Sequence, residues 1–375
     1  MNVLFLFYGF AMASVLNLTA DRRQLKGRGA GSNASGRFER ERRLLLDDGW
    51  HAQGEDPAPQ LKTQILRDTS RSIITRNTSP DISFDRSINP YRGCEHGCIY
   101  CFARPSHAYL GLSPGVDFES RILVKPEAAQ LLRMELSAPG YVPRVIAIGT
   151  NTDPYQPLER NLKIMRQVLE VLYEFRNPVA IVTKSALVLR DLDLLGAMAR
   201  LGLVKVALSI TTQEPSLARS LEPRAATPAR RFEALKGLSA EGIPTGVMFA
   251  PVIPALNDSE LENILGAAAN AGARTAGYVL LRLPLEVKDL FREWLDLHAP
   301  ARAGHVLALI RAMRSGKDYD ASWHDRMTGS GPYARMIAQR FHLAARRLGL
   351  NQKPVVLECG RFRRPPHHGE QLSLL

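Results

Sequence analysis

Short apolar runs alternate with helical segments through the middle of the chain, and this alternation constrains the fold more than any other feature. Five β-rich runs lie at Val145–Ile148, Val179–Val182, Val204–Ile210, Val247–Ile253 and Tyr278–Leu283. Apolar residues recur at helical spacing in the segments Glu159–Arg176, Leu189–Leu201, Thr227–Ala240 and Asn257–Ala271. Apolar strands joined by helices predict a parallel sheet covered on both faces, as in a full or partial α/β barrel.

The alternation occupies only part of the 375 residues, so we predict three parts. An N-terminal arm, largely irregular, is expected at 1–82, a core barrel at 83–295 and a helical extension at 296–375. Within the extension, Pro332–Leu348 has apolar residues on one helix face and basic residues on the other, which predicts a helix packed on the barrel. A hydrophobic fraction of 45% excludes a disordered, collagenous or coiled-coil chain.

The net charge of +12 is concentrated near both ends. Arg22–Arg43 carries eight basic and two acidic residues, net +6, and Ala301–Leu375 carries thirteen and five, net +8. Two basic arms around a nearly neutral core fit a nucleic acid partner, because cationic arms can follow a phosphate backbone. Lys and Arg that only keep the chain ends soluble explain the same charges, and composition does not choose between the two.

The start of the chain is apolar over Val3–Leu18, but these sixteen residues are fewer than the roughly twenty that span a bilayer. No Lys or Arg precedes them, so we expect no membrane anchor and interpret the run as an artefactual extension, with Met12 as an internal start. Gly27–Asn33 is typical of an arm. Four cysteines are too few for a disulfide scaffold, which favours a reducing, cytoplasmic location.

A cysteine triplet carries the chemistry of this chain. The segment NPYRGCEHGCIYCFAR, which starts at Asn89, contains Cys94, Cys98 and Cys101. Three thiolates at C-x3-C-x2-C spacing in one loop after a short strand predict a metal site. A zinc ion needs a fourth ligand, for which His96, His107 or Cys359 is available, whereas a cubane iron–sulfur cluster can be held by three cysteines with one iron left open.

The triplet resembles the C-x3-C-x-aromatic-C signature of the radical S-adenosylmethionine (SAM) superfamily, with Tyr100 at the aromatic position. The stretches NPYRGCEHGCIYCFARPSHAY and GTNTDPYQPLER are similar to the branch that contains spore photoproduct lyase and related DNA repair proteins. The similarity covers about residues 83–295. It implies a partial (β/α)6, TIM-like barrel with the cluster loop after its first strand, and a [4Fe-4S] cluster and SAM as cofactors.

The same resemblance implies the reaction. The open iron would bind SAM, and the reduced cluster would cleave it to methionine and a 5′-deoxyadenosyl radical. It implies a DNA photoproduct lyase-like repair enzyme that acts on nucleic acid and takes electrons from a donor such as flavodoxin or ferredoxin. One departure matters, because the lyase returns hydrogen to its product radical from a cysteine at the second barrel strand. Here Ala147–Asp153 contains no cysteine, and Cys359 is the only spare thiol.

Six polar residues near predicted strand ends are identified as SAM-binding through the resemblance. They are Thr150, Asn151, Lys184, Ser209, Thr211 and Arg224. Arg224 resembles the arginine that pairs with the SAM carboxylate, a task that suits a planar, always charged guanidinium. Structural alternatives are that Lys184 caps a strand end and that Arg224 pairs with Glu222 or a helix terminus.

Asp153 and Tyr155 lie in the segment DPYQP, whose two prolines predict a rigid loop after a strand. Active sites of α/β barrels lie at the carboxyl ends of strands, so both residues are predicted to line the substrate cavity as catalytic groups. The alternative is a turn in which Asp153 marks a helix start. His96 and His107 are expected beside the cluster or at the surface, and not as ligands.

Two other functions fit the sequence. One is a radical SAM enzyme that modifies RNA, a peptide or a small metabolite, for which the basic arms are incidental. The other is a non-catalytic nucleic-acid module that holds zinc at the cysteine triplet. Iron with acid-labile sulfide in the purified protein would dismiss the zinc module, and salt-dependent binding to duplex DNA would favour the nucleic-acid substrate.

Overall fold

The computed structural model describes residues 26–39 and 61–365. The apolar run Val3–Leu18, the interpretation of Met12 as a start and part of Arg22–Arg43 lie outside the described residues. The described strands are β1 Gln64–Arg67, β2 Ile74–Arg76, β3 Arg86–Ile88, β4 Tyr91–Arg92, β5 Arg121–Val124, β6 Ile146–Ile148, β7 Val179–Thr183, β8 Val204–Ser209, β9 Thr245–Val252 and β10 Thr275–Leu280.

Helices alternate with these strands through most of the described chain. The described α-helices are α1 Asp117–Ser120, α2 Ala128–Ser137, α3 Glu159–Leu162, α4 Ile164–Glu174, α5 Leu192–Arg200, α6 Pro215–Leu221, α7 Pro228–Ala240, α8 Leu261–Asn270, α9 Val287–His298, α10 Pro300–Ala312, α11 Asp325–Thr328 and α12 Gly331–Arg347. Short 3-10 helices lie at Arg104–Leu110, Ala186–Asp191, Asp258–Glu260 and Cys359–Arg361. In the described part of the chain, no helix is long and apolar enough to cross a membrane.

The main sheet contains seven strands in the order β10-β9-β8-β7-β6-β3-β2. Strands β3 and β6 to β10 run parallel to one another, and β2 pairs antiparallel with β3. The predicted fold class is confirmed, with six parallel strands in the order of a partial (β/α)6 barrel. Within residues 26–39 and 61–365 the sheet does not close, because β10 and β2 form its two edges.

The helices follow the predicted pattern with one instructive difference. The predicted helix Glu159–Arg176 is divided at Lys163, whose φ of 52° ends α3 before α4 begins. The carboxylate of Glu159, which is buried, accepts hydrogen bonds of 3.1 Å from the backbone N–H of Ile164 and of Met165. It thus satisfies the first donors of α4, which would otherwise have no partner.

Part of the predicted irregular arm is folded. Strand β1 pairs parallel with β5 in a small sheet of order β1-β5-β4, and β2 joins the main sheet. The division of the chain near residues 82 and 295 stays a prediction, and α9 extends across the second of these positions.

The C-terminal segments pack on the barrel. The predicted helix Pro332–Leu348 is observed as α12, and its residue Phe341 lies 4.7 Å from Tyr278 of β10 between ring centroids. Beyond it the chain crosses the amino ends of the strands. The N–H of Glu358 donates to the carbonyl of Gly202, which precedes β8, over 3.0 Å. The N–H of Arg363 donates to the carbonyl of Phe175, which precedes β7, over 3.0 Å.

Candidate cofactor site

The cysteine loop runs from Gly93 to Cys101 and is held by backbone hydrogen bonds. The N–H of Cys94 donates to the carbonyl of Phe118 over 3.0 Å, and that of Cys101 donates to the carbonyl of Cys98 over 3.2 Å. Gly93 has a φ of 86°, and a Cβ there would lie 2.7 Å from the Phe118 carbonyl oxygen. Only glycine fits this position, which lets the loop turn tightly before Cys94.

A buried ion pair locks this loop from the side of α1. Arg104 is fully buried and donates from Nε to the Cys98 carbonyl over 2.9 Å and from Nη2 to the Gly97 carbonyl over 3.2 Å. Its guanidinium also pairs with Glu119. The Glu119 carboxylate accepts hydrogen bonds from the N–H groups of Gly29 and Ala30 over 2.8 and 2.9 Å. Residues of the predicted arm therefore cover the loop.

The surroundings of the three cysteines favour binding of a metal group over free thiols. Cys94 and Cys98 are buried, and burial raises the pKa of all three thiols of the loop, as does the proximity of another cysteine for these two. Lys184 acts in the opposite direction on the pKa of Cys98 and Cys101. Bound metal supplies the positive charge that thiolates need in such a place.

The arrangement of the donors distinguishes between metals. Among the described residues, no three His, Cys, Asp or Glu side chains are grouped so that they could hold one metal ion. Zinc requires such convergence of four ligands. A cubane cluster does not, because each thiolate binds a different iron. The three cysteines therefore fit an iron–sulfur cluster, whose fourth iron needs no protein ligand.

Glu222 is the centre of a buried polar network at the carboxyl ends of the strands. Its carboxylate accepts hydrogen bonds from the Tyr100 hydroxyl and, over 2.6 Å, from the Thr211 hydroxyl. It also pairs with the buried guanidinium of Arg231. Burial alone would raise the pKa of Glu222, but Arg231 and Lys184 outweigh it and lower the pKa to about 2. The carboxylate is thus ionised and connects the cysteine loop, through Tyr100, to the barrel.

Lys184 projects into the same network. Its Nζ donates to the Ser209 hydroxyl over 2.6 Å and lies 3.5 Å from Glu222 Oε1. The ammonium also lies 5.7 Å from the ring centroid of Tyr100. Three of the six residues predicted to bind SAM, namely Lys184, Ser209 and Thr211, therefore meet at one place beside the cysteine loop. The ammonium also donates to the backbone carbonyl of Ala250 in β9 over 3.3 Å, as a strand cap would, so both interpretations of Lys184 stay predictions.

Arg224 lies elsewhere on the cysteine loop. Its Nη1 is 3.0 Å from Glu95 Oε1, and its backbone N–H donates to the His96 carbonyl over 3.2 Å. The alternative pairing with Glu222 is wrong, because Arg231 occupies that carboxylate. Glu95 is buried, and its Oε2 has no hydrogen-bond partner among the described residues. The guanidinium and this free carboxylate oxygen together form a polar pair next to Cys94.

Thr150 and Asn151 are held beside the first barrel strand by one side chain, that of Asn89. The Asn89 amide donates to the Thr150 hydroxyl over 3.1 Å, and the N–H of Asn151 donates to Asn89 Oδ1 over 3.0 Å. Both residues are partly exposed at the carboxyl end of β6. They lie at the predicted edge, and the hydrogen-bond partner that they share is Asn89 and not a residue of the Glu222 network.

Two residues of the same loop were not singled out from the sequence. The Thr152 hydroxyl donates to the Gly93 carbonyl over 2.6 Å, and Gln156 Oε1 accepts from the N–H of Glu95 over 2.9 Å. Both therefore attach the loop after β6 to the cysteine loop. Their place in the quoted segment GTNTDPYQPLER is the only signal that could have identified them.

The structure places Asp153 and Tyr155 in supporting positions. Asp153 accepts hydrogen bonds from the Thr183 hydroxyl over 2.6 Å and from the N–H of Lys184 over 2.7 Å, and lies 3.4 Å from His96 Nδ1. These contacts hold the pKa of Asp153 below its usual range despite burial. Tyr155 is fully buried and donates to Asp191 over 3.1 Å. The catalytic roles of Asp153 and Tyr155 stay predictions, and the contacts of Asp153 also fit the turn that was its alternative.

Cys359 and His107 do not face the polar network at the carboxyl ends of the strands. Cys359 lies on the segment that crosses the amino ends of the strands, near Tyr141, so it is not placed to return hydrogen at the carboxyl ends. His107 is fully buried, and its Nε2 lies 3.1 Å from the carbonyl of Arg121. Burial lowers its pKa to about 4, so the ring is neutral near pH 7.

The fold and the site together define a class of protein: a partial α/β barrel with a three-cysteine cluster loop beside a polar network at its strand ends. The family model of the radical SAM superfamily matches residues 88–268. An uncharacterized protein of Mycobacterium tuberculosis is 39% identical over 232 residues, which cover 61% of this chain and 68% of the relative.

Solved structures show the same fold. Spore photoproduct lyase complexed with dinucleoside spore photoproduct has a TM-score of 0.55 at 15% identity, with 80% of this chain and 86% of the lyase covered. A variant of that lyase with bound AdoMet and the same dinucleoside has a TM-score of 0.50 at 13% identity, with 76% and 80% covered. The chain belongs to the radical SAM superfamily, and its cofactors are those of the superfamily, a [4Fe-4S] cluster and SAM.

Proposed function

We propose that this chain is a radical SAM lyase-like enzyme that acts on damaged DNA. The observation that carries the proposal is the meeting of Lys184, Ser209 and Glu222 beside the buried thiol of Cys98, at the carboxyl ends of the strands. For the substrate, the support is the likeness to a lyase complexed with dinucleoside spore photoproduct, which covers four fifths of the chain.

In this proposal the protein binds and orients the cofactors. The thiolates of Cys94, Cys98 and Cys101 hold the cluster, which when reduced supplies the electron that cleaves SAM to methionine and a 5′-deoxyadenosyl radical. Arg224 binds the SAM carboxylate through a charge-assisted pair. Lys184 donates hydrogen bonds to SAM from its ammonium.

The surrounding residues keep these groups in place. The ionised Glu222 holds the Lys184 ammonium and the Tyr100 hydroxyl, so both keep one orientation while the site fills. Thr211 and Arg231 occupy the remaining positions on that carboxylate, which leaves it no free oxygen to attract water. Exclusion of water protects a reactive radical from side reactions.

The location and the electron source complete the proposal. We place the enzyme in the cytoplasm, where thiols stay reduced. An acidic one-electron carrier such as flavodoxin or ferredoxin supplies the electron. The reducing environment and the carrier are both required because the thiols must bind the cluster and the cluster must be reduced in each turnover.

The test is anaerobic. The protein is reconstituted with iron and sulfide, reduced with dithionite and mixed with SAM, and 5′-deoxyadenosine is assayed together with the cluster EPR signal. Ultraviolet-irradiated DNA should accelerate 5′-deoxyadenosine formation and lose photoproduct, whereas unirradiated DNA should do neither.

A different substrate would give a different pattern. If irradiated DNA is inert while RNA or a peptide accelerates SAM cleavage, the substrate part of the proposal is overturned and the cofactor chemistry stands. Stoichiometric zinc without SAM cleavage would overturn the cofactor chemistry as well.

A further inference from the structure

Three exposed aromatic rings lie on the outer side of the cysteine loop. The exposed fractions of Phe38, Phe102 and Tyr109 are 55%, 44% and 70%, which is unusual for side chains of this size. Phe102 directly follows Cys101, and Tyr109 lies on the 3-10 helix that begins at Arg104. Phe38 belongs to the N-terminal segment and lies against Tyr109 with ring centroids 5.0 Å apart.

Each aromatic group is paired with an arginine. The guanidinium of Arg282, in the loop after β10, lies 4.7 Å from the ring centroid of Phe102. That of Arg37 lies 5.3 Å from the Phe38 centroid and 5.5 Å from the Tyr109 centroid. Such pairs hold the rings in fixed orientations and add positive charge around them. We call Arg37, Phe38, Phe102, Tyr109 and Arg282 the aromatic–arginine surface.

The loop after β10 joins the two halves of this surface. It contains Arg282 and also Glu286, which pairs with Arg37 over 2.6 Å. Because the loop follows a parallel strand at its carboxyl end, the surface borders the same edge of the sheet as the proposed SAM site.

We propose that the aromatic–arginine surface binds unpaired nucleic acid bases by stacking and guides the strand to the cofactor site. Exposed aromatic rings flanked by arginine are the stacking platforms of proteins that bind single strands, and every base has a face that can stack. The charge of this part of the sequence favours a nucleic acid partner, because Arg37 and Phe38 lie inside Arg22–Arg43, which has a net charge of +6.

The inference rests on the proposed function, because it assumes a nucleic acid substrate, and it goes beyond it by naming the residues that bind the strand. The inference predicts that the damaged strand is bound in a locally open form. A base within a duplex offers no free face to Phe102 or Tyr109, and a lesion lowers the cost of unstacking its own base.

The experiment uses the reconstituted full-length protein under anaerobic conditions. Binding of a fluorescein-labelled single-stranded DNA of about 12 nucleotides and of the matched duplex is measured by anisotropy at several salt concentrations. Phe102→Ala and Tyr109→Ala should each raise the Kd for the single strand roughly tenfold, equivalent to about 1.4 kcal/mol. Tyr173→Ala, which removes a partly exposed ring on α4, should leave the Kd unchanged.

A charge-conserving variant separates stacking from electrostatic attraction. Arg282→Lys should weaken single-strand binding by several-fold with an unchanged salt dependence, because lysine keeps the charge but not the planar group. Iron content and the thermal unfolding midpoint show whether each variant is folded. Tyr109→Ala is the safer of the two aromatic variants, since Phe102 adjoins a cluster cysteine.

The outcomes separate this inference from the proposed function. If the unaltered protein binds the strand and all the aromatic variants bind it equally well, the surface is not the platform, but the nucleic acid substrate stands. If the variants bind DNA normally and are instead reduced more slowly by flavodoxin, the surface docks the electron donor and the inference is overturned. If the unaltered protein binds no strand, the nucleic acid part of the proposed function fails with it.

Discussion

The carboxyl ends of the parallel strands gather thiols, hydroxyls and buried charges, whereas their amino ends are covered by aromatic rings and backbone hydrogen bonds. At the carboxyl ends, Lys184 and Arg231 converge on Glu222. At the amino ends, Phe362 lies 5.4 Å from Tyr141 and 6.2 Å from Phe175 between ring centroids. Ionisable groups are costly to bury, so their clustering at the carboxyl ends indicates a functional site. The packing at the amino ends contributes to stability.

The largest effect is expected from the cluster loop. Cys98→Ala should abolish cluster binding and SAM cleavage, because two thiolates are too few to hold a cubane. Iron and sulfide content and 5′-deoxyadenosine formation measure the loss. Cys359→Ala is the matched control at the amino ends and should retain both. Full SAM cleavage by Cys98→Ala would contradict the assignment of the site.

The ion pair behind the loop comes next. Glu119→Ala leaves the buried Arg104 without its carboxylate and should lower the free energy of unfolding by about 3–5 kcal/mol. Denaturant unfolding of the cluster-free protein measures it. As a control, Glu174→Ala breaks a pair with Arg133 that is exposed to solvent, and should cost less than about 1 kcal/mol. Equal losses of unfolding free energy in the two variants would mean that the buried pair contributes no more to stability than the exposed pair.

The buried His107 should make the free energy of unfolding depend on pH. The pKa of His107 is lowered by burial to about 4, from an ordinary value of 6.5, so the unfolded chain binds its proton first. The neutral ring therefore contributes stability above pH 6.5, and this contribution, about 3 kcal/mol, is lost as the pH falls from 6.5 to 4.

His107→Phe tests this dependence. Between pH 6.5 and 5, where most carboxylates are still ionised, the unfolding free energy of the unaltered protein should fall with pH more steeply than that of the variant. Parallel curves for the two proteins would show that His107 is not buried in its neutral form.

Substitution at the proposed SAM site should have a smaller effect. Arg224→Ala removes one charge-assisted pair and should weaken SAM binding by about 1.5–3 kcal/mol, measured by calorimetry on the reconstituted protein. Arg219→Ala, an exposed arginine on the neighbouring α6, should not change the affinity. If both variants bind SAM as tightly as the unaltered protein, Arg224 only supports Glu95 and the cysteine loop.

The sequence predicted the parallel strands and the cysteine loop because both have local signals. Apolar runs such as Val179–Val182 and the spacing of the cysteines are visible in short windows. The supporting network is not, because it joins distant segments. Arg104 meets Glu119 and Gly29 only after folding, and nothing near these residues in the chain announces the contact.

Side-chain direction is the part of the site that the sequence could not predict. Tyr155 follows β6 at the expected edge, yet its ring turns into the core toward Asp191, while Lys184, at the end of the next strand, turns toward Ser209 and Glu222. Position after a strand selects an edge of the sheet but not the direction of a side chain. The pairing of Arg224 with Glu95 was likewise not predictable, because the two residues lie over a hundred positions apart in the sequence.

The smallest effect is expected at the amino ends. Phe362→Leu removes the ring contacts with Tyr141 and Phe175. It should lower the free energy of unfolding by about 1 kcal/mol, the range of one aromatic pair. SAM affinity and 5′-deoxyadenosine formation should stay unchanged, because the ring lies at the opposite end of the strands from Lys184. Denaturant unfolding and calorimetry on the same preparation make the comparison. A loss of SAM affinity greater than the loss of stability would mean that the C-terminal segment affects the site through the barrel. The amino ends would then contribute to SAM binding and not only to stability.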